Sequence, residues 1–117
     1  MKLSVIIPVY NEEFTIKKII KSVESSPVDL KEIIIIDDCS TDSTRQILSE
    51  INSSLVRIFY NKSNKGKGYS LKRGFSEARG EICIVQDADL EYDPHEFPKL
   101  IKPIIENKAD VVYGSRF

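Results

Sequence analysis

Glu32–Ile36 reads EIIII, and this run constrains the fold more than any other stretch of the chain. Four consecutive isoleucines leave no polar face. A strand of this β-branched density is buried on both sides, as strands of parallel sheets are. Four other short runs read as strands of the same sheet: Leu3–Val9 (LSVIIPV), Leu55–Tyr60 (LVRIFY), Ile82 to Val85 with Cys83 as a small filler, and Ala109–Tyr113 (ADVVY). Pro8 lacks a ladder donor and marks the end of the first.

Between these runs the apolar spacing changes to that of helices. Ile16, Ile19, Ile20 and Val23 fall at i, i+3, i+4 and i+7, the stripe of a helix lying on a sheet. Asn11 is placed to cap that helix, with Glu12 and Glu13 at its positive end; Ser25-Ser26-Pro27 breaks it. Ser40, Thr41 and Asp42 are each able to cap a second helix carrying Ile47, Leu48 and Ile51. A third carries Leu71, Phe75 and Ala78 and stops at Gly80. A fourth starts at Asp93-Pro94-His95-Glu96, with Asp93 as cap, Pro94 at the first helical position and Glu96 closing a capping box. It carries Phe97, Leu100, Ile101, Ile104 and Ile105, and Pro103 kinks or splits it. His95, the only histidine, reads as a solvated first-turn residue.

The order β-α-β-α-β-α-β-α-β implies a mainly parallel sheet with right-handed crossovers and helices on both faces, a three-layer α/β/α architecture. A chain of 117 residues is long enough for one such domain. A formal net charge of −1 gives no global field toward nucleic acid. No apolar stretch approaches the ~20 residues of a membrane span, and MKLSVIIPVY turns polar too early for a signal peptide. Cys39 and Cys83 read as free thiols of a cytoplasmic chain rather than as a disulfide.

Open α/β sheets bind ligands along the C-terminal ends of their strands. Five segments place candidate residues there: Pro8 to Glu12, Asp37 with Asp38, the lysine loop NKSNKGKG, Asp87 to Glu91, and Arg116. Asp87 and Asp89 are two residues apart, so an extended backbone points them to one side. Two such carboxylates repel unless a cation sits between them, and oxygen donors select Mg²⁺ or Mn²⁺. A solvated acidic turn is the alternative. Asp37 and Asp38 suit hydrogen bonding to a base or ribose, or a solvated strand end. Lys62, Lys65 and Lys67 around Gly66 and Gly68 offer charge and N–H groups to a diphosphate, although the spacing matches neither glycine fingerprint for phosphate; a flexible basic turn is the plainer reading. Tyr10, Asn11 and Glu12 read equally as capping and packing.

VIIPVYNEE, IIIIDDCSTDST, NKGKGYSLKRGF, QDADLEYDP and ADVVYGSRF, in that order, resemble the N-terminal part of family 2 glycosyltransferases. The resemblance is to the branch of dolichol-phosphate mannosyltransferases and polyprenyl-phosphate glycosyltransferases. It implies a Rossmann-like GT-A fold and an inverting transfer from a nucleotide-sugar donor to an acceptor such as a lipid phosphate. By the resemblance, Pro8, Tyr10 and Glu12 flank the nucleoside, and Ile36 and Asp38 hold base and ribose. Asp87, Ala88 and Asp89 contact metal and diphosphate, with Asp89 the catalytic member. Glu91 adds a metal contact, and Arg116 reaches the phosphates or the sugar. Members of this branch are substantially longer, and the portion after Gly114-Ser115-Arg116-Phe117 supplies their acceptor side. The chain is thus expected to be truncated. It would expose a sheet edge to a second copy or a partner chain, and it would act in the cytoplasm or peripherally at the cytoplasmic membrane face.

Two other classes compete. A nucleotide-sugar-binding module without activity of its own fits the same residues. A phosphorylated receiver domain needs its acidic pair after the first strand, whereas Asp37 and Asp38 follow the second.

Overall fold

The computed structural model describes residues 2–26, 30–86 and 111–113. These form one parallel sheet of strands β1 (Leu3–Val9), β2 (Leu30–Asp37), β3 (Val56–Tyr60), β4 (Ile82–Val85) and β5 (Val111–Tyr113), in the order β3-β2-β1-β4-β5. Helices α1 (Ile16–Glu24), α2 (Thr44–Ser49) and α3 (Lys67–Glu77) connect them. The expected helix from Asp93 through Ile105, with its kink at Pro103, lies outside the described residues.

The isoleucine run divides between two cores. Ile33 and Ile35 join Leu3, Val5, Ile7 and Val9 beneath α1 and α2. Ile34 and Ile36 join Ile6 and Val85 beneath α3, with Leu71, Phe75 and Ala78 supplying the helix side. The strand order explains the division. The chain moves outward from β1 to β2 to β3, then crosses back over β1 to reach β4. Right-handed crossovers made in opposite directions put their helices on opposite faces. On the second face, a Cβ at Gly74 would lie 2.5 Å from Cγ2 of Ile6, so only glycine lets α3 sit this close to β1.

The N-terminal edge of the sheet is fastened by a buried carboxylate. Glu32 accepts from Ser4 Oγ at 2.8 Å, from Arg57 Nη1 at 2.8 Å and from the N–H of Arg79. Arg57 also bonds the carbonyl and the carboxylate of Glu77 at the end of α3. Burial alone would push the Glu32 carboxyl up. The bonds from Arg57, Arg79 and Ser4, and the guanidinium charge, outweigh it and hold the carboxyl below its ordinary value.

Several local expectations are corrected. Asn11 does not cap α1; that position belongs to Thr15. Ser43, not Ser40, Thr41 or Asp42, holds the N-cap of α2. β1 has the expected bounds, Leu3 to Val9, and pairs at its last residue with Asp37. Proline is tolerated because Pro8 shares the direction of Ile6, which faces β4, and the β1–β4 register runs only to Ile6 and Val85. Both cysteines are free, as expected.

Candidate functional site

The sheet changes direction at β1, whose neighbours are β2 on one side and β4 on the other. Such a switch point is where open α/β sheets form a ligand crevice. On the β2 side, β1 stays bonded to its end, with the Asp38 N–H donating to the carbonyl of Val9 at 2.8 Å. On the β4 side, the Gln86 N–H donates to the carbonyl of Ile6 at 2.9 Å, and Asp87 follows at once in sequence.

The loops leaving β1 and β2 are tied together. Asn11 adopts a left-handed backbone (φ 52°), which asparagine tolerates better than most residues. Its N–H donates to Ser40 Oγ at 2.9 Å, and its Oδ1 accepts from the N–H of Thr41 at 2.8 Å and of Asp42 at 3.3 Å. The Glu12 N–H donates to Thr44 Oγ1 at 2.9 Å, and the Glu13 carboxylate accepts from the N–H of Ser43 at 2.9 Å. Asn11 and Glu13 therefore serve the next loop rather than their own helix. Tyr10, at the end of β1, is 44% exposed, and Phe14, in the turn before α1, is 84% exposed.

The acidic pair divides into two roles. Asp37 is fully buried. Its carboxylate accepts from Ser40 Oγ at 2.6 Å and pairs with Arg45 Nε at 3.3 Å, so it closes the turn after β2. Asp38 faces the other way and holds the β3–α3 loop. Its Oδ1 accepts from Asn61 Nδ2 at 2.9 Å and from the Lys65 N–H at 2.7 Å; its Oδ2 accepts from the Gly66 N–H at 2.9 Å. Burial would raise the Asp38 carboxyl, yet the bonds from Lys65, Asn61 and Gly66 together hold it below its usual range. The carboxylate is ionised at neutral pH and sits at the positive end of α3, whose N-cap is Gly66.

This corrects the reading of the lysine loop. The N–H groups of Lys65 and Gly66 do form an anion cradle, but the anion is Asp38. Nor is the loop a free basic turn, since Lys67 and Gly68 already belong to the first turn of α3. Asn61 and Arg73 carry no motif that marks them in the sequence. Asn61 is 2% exposed; besides Asp38, its Nδ2 reaches Ser70 Oγ at 3.0 Å, and its Oδ1 accepts from Arg73 Nη1 at 2.9 Å. A polar residue directly after a strand, as Asn61 is after Tyr60, was the available signal.

Pro8, Tyr10, Glu12 and Asp38 thus stand on adjoining strand ends and loops of one edge. The Ile36 side chain is buried in the second core. Asp87, Ala88, Asp89, Glu91 and Arg116 lie outside the described residues. Among the described residues no three carboxylate, histidine or cysteine side chains gather as a metal-binding group, and no helix is long and apolar enough to cross a membrane.

The family model "Glycosyl transferase family 2" matches residues 4–117. The chain belongs to glycosyltransferase family 2. It is 38% identical over 119 aligned residues to the dolichol-phosphate mannosyltransferase of Pyrococcus furiosus, covering 100% of this chain and 34% of that protein. This family 2 chain thus spans about a third of the length of that relative. Among solved structures it resembles residues 1–349 of Staphylococcus aureus TarS in complex with UDP-GlcNAc, with a TM-score of 0.74 and 29% identity over 92% of this chain and 32% of that one. It also resembles the Pyrobaculum calidifontis mannosyltransferase PcManGT in complex with GDP-Man and Mn²⁺, with a TM-score of 0.70 and 26% identity over 80% of this chain and 29% of that one. The fold is that of the GT-A glycosyltransferases.

Proposed function

We propose that this chain binds a nucleoside-diphosphate sugar, a GDP- or UDP-sugar, at the C-terminal edge of the sheet. There it forms the donor side of an inverting transfer, with a polyprenyl or dolichyl phosphate as acceptor. The observation that carries this reading is the joining of three loops beside the switch between β1 and β4: the loop after β1 is tied to the loop after β2, and the ionised Asp38 at the end of β2 holds the loop after β3. The solved relatives with UDP-GlcNAc and GDP-Man support it.

In this reading Pro8, Tyr10 and Glu12 flank the nucleoside, and Ile36 and Asp38 hold base and ribose. Oδ2 of Asp38 accepts only from Gly66 among the described residues, which leaves it acceptor capacity for a ligand N–H or O–H. Asp87, Asp89 and Glu91 are an all-oxygen donor set, the chemistry that suits Mg²⁺ or Mn²⁺. They would hold the ion, with Ala88 on the diphosphate and Asp89 as the catalytic member. When bound, the ion offsets the charge that develops on the leaving diphosphate. Arg116 adds a fixed cation to the same charge. A lipid-phosphate acceptor brings an oxygen that is already anionic, so this chemistry places little demand on a general base. It also places the chain peripherally at a membrane face.

Titration calorimetry with UDP and with GDP, with and without Mn²⁺, tests the donor site. Metal-dependent binding of one nucleotide, abolished in Asp87→Ala/Asp89→Ala, is the expected result. No heat from a folded chain with either nucleotide would overturn the reading. Release of free nucleotide from its sugar donor, with and without a lipid phosphate, separates a transferase from a binding module that works only with a partner chain.

A further inference from the structure

Asp38 does not hold its own orientation. Its Oδ1 is fixed from the side by Asn61, a residue buried to 2% exposure and so with almost no surface to offer a ligand. The geometry points to Asn61 as a positioning residue that aims Asp38 at the donor. This rests on the reading of Asp38 as a contact to the nucleoside.

The direction of the Asn61 amide is dictated by its neighbours. Arg73 Nη1 lies 2.9 Å from one end, and a guanidinium can only donate, so that end is the oxygen. The other end is then the NH₂ group, whose two hydrogens go to Asp38 Oδ1 at 2.9 Å and Ser70 Oγ at 3.0 Å. Arg73 is itself held: the same Nη1 donates to the carbonyl of Tyr60 at 3.0 Å, and its guanidinium lies 5.3 Å from the ring centre of Phe59. The Asn61 N–H donates to the carbonyl of Asp37 at 2.8 Å, which anchors its backbone to the end of β2. Every hydrogen-bonding group of the amide is thus engaged, with α3 behind it and Asp38 in front. With Asn61 and Lys65 both on Oδ1, that oxygen is committed to the fold. Oδ2, bonded to Gly66 alone, is the one left to face a ligand.

The test uses UDP and GDP with Mn²⁺ in titration calorimetry, on the unmutated chain, Asp38→Asn, Asn61→Ala and Asn61→Asp. Loss of one charge-assisted bond predicts binding about tenfold weaker for Asn61→Ala. Asn61→Asp keeps the Arg73 bond but sets a second carboxylate against Asp38. The charged groups around that pair are Arg73 from α3, Lys65 in the loop and Asp37 just before. Two carboxylates in contact share a proton, and one pKa rises strongly. Nucleotide binding by Asn61→Asp is therefore expected to fail at about pH 8 and to recover toward the unmutated affinity at about pH 5. A purely structural asparagine would give no such recovery in a chain that melts as a folded protein at both pH values.

If Asp38→Asn weakens binding while both Asn61 variants stay within about twofold of the unmutated chain, the positioning role is wrong and the Asp38 contact stands. If Asp38→Asn changes nothing, the Asp38 contact itself is wrong and the positioning role goes with it. A variant that does not fold is covered by the unmutated chain: the side-chain amide signals of Asn61 in its NMR spectrum are expected to shift on nucleotide addition. Their constancy at saturation would overturn the proposal.

Discussion

The N–H of Gly66 donates to Oδ2 of Asp38 at 2.9 Å, joining the residue that opens α3 to the carboxylate that follows β2. The two are 28 residues apart in sequence. This bond makes Asp38 at once a piece of loop architecture and a candidate ligand contact, and the two roles separate in acid. Because the folded pKa of Asp38 is lowered, its contribution to stability is fully present above the unfolded carboxylate value of about 3.9 and is lost as pH falls through the lower folded value. The protection of the backbone amides of Lys65 and Gly66, taken relative to their intrinsic exchange at each pH, is therefore expected to persist through the ordinary carboxylate range and to fall only in stronger acid. In Asp38→Ala they should exchange fast at neutral pH. Hydrogen exchange read by NMR measures both, and unchanged protection in the variant would contradict the anchoring role.

Glu32 and Arg57 make a different prediction, because they lie at the opposite edge of the sheet. Both partners are largely buried, at 5% and 24% side-chain exposure, so removing one strands the other's charge. Arg57→Ala is expected to lower stability by about 3 kcal/mol. Its nucleotide affinity should stay at the unmutated value in a chain kept cold enough to remain folded. Urea unfolding and calorimetry on one preparation check the two halves together. A large loss of affinity at constant fold would show that the two edges are coupled.

Three glycines separate crowding from conformation. Gly74→Ala drives a methyl against Ile6, and overpacking of that kind costs about 1–3 kcal/mol. Gly66→Ala has open space around its new methyl, but its φ of 92° disfavours any other residue, at a cost of about 1–2 kcal/mol. Gly68→Ala also has open space, with a helical position and no such φ, and should stabilise by about 0.5 kcal/mol. Thermal melts that ranked Gly68→Ala as the most damaging of the three would contradict the described packing of α3.

Cys83 gives a chemical prediction. Burial pushes its thiol up, and the negative charge of Glu32 adds to the effect. It should react slowly with a thiol reagent at neutral pH in the folded chain, and the rate should rise sharply in urea. Mass spectrometry of the labelled peptide reads it directly; rapid labelling of Cys83 in folded protein would contradict its partly buried setting against the second core.

Much of the architecture was legible in the sequence because it depends on local composition. Buried parallel strands are dense in β-branched residues, and Glu32–Ile36 and Leu3–Val9 read as strands on that ground alone. The alternation of strand and helix gave the parallel sheet and both helical layers. Strand order was not legible, since it depends on which crossover turns back, and nothing local to residues 61–81 encodes that β4 lies beside β1. Caps failed for the same reason. Asn11 looks like the cap of the helix that follows it, but its amide serves Thr41 and Asp42, thirty and thirty-one residues on. Arg73 looks like the solvated side of an amphipathic helix until Asn61 is folded against it. The candidate site was legible as an edge, through Tyr10, Glu12 and Asp38. The internal bonds that engage Asp38 were not.

The central claim is that a nucleoside diphosphate binds at the C-terminal edge of this sheet, beside β1. Mapping backbone amide shifts while UDP, then GDP, is added in the presence of Mn²⁺ tests it most directly. One nucleotide is expected to move the signals of Tyr10 to Glu12, Asp38, Lys65 and Gly66 in a saturable way, leaving those around Glu32 and Arg57 in place. Shifts confined instead to the groove between α1 and the α2–β3 loop, lined by Lys17, Lys21, Glu50 and Asn52, would contradict it.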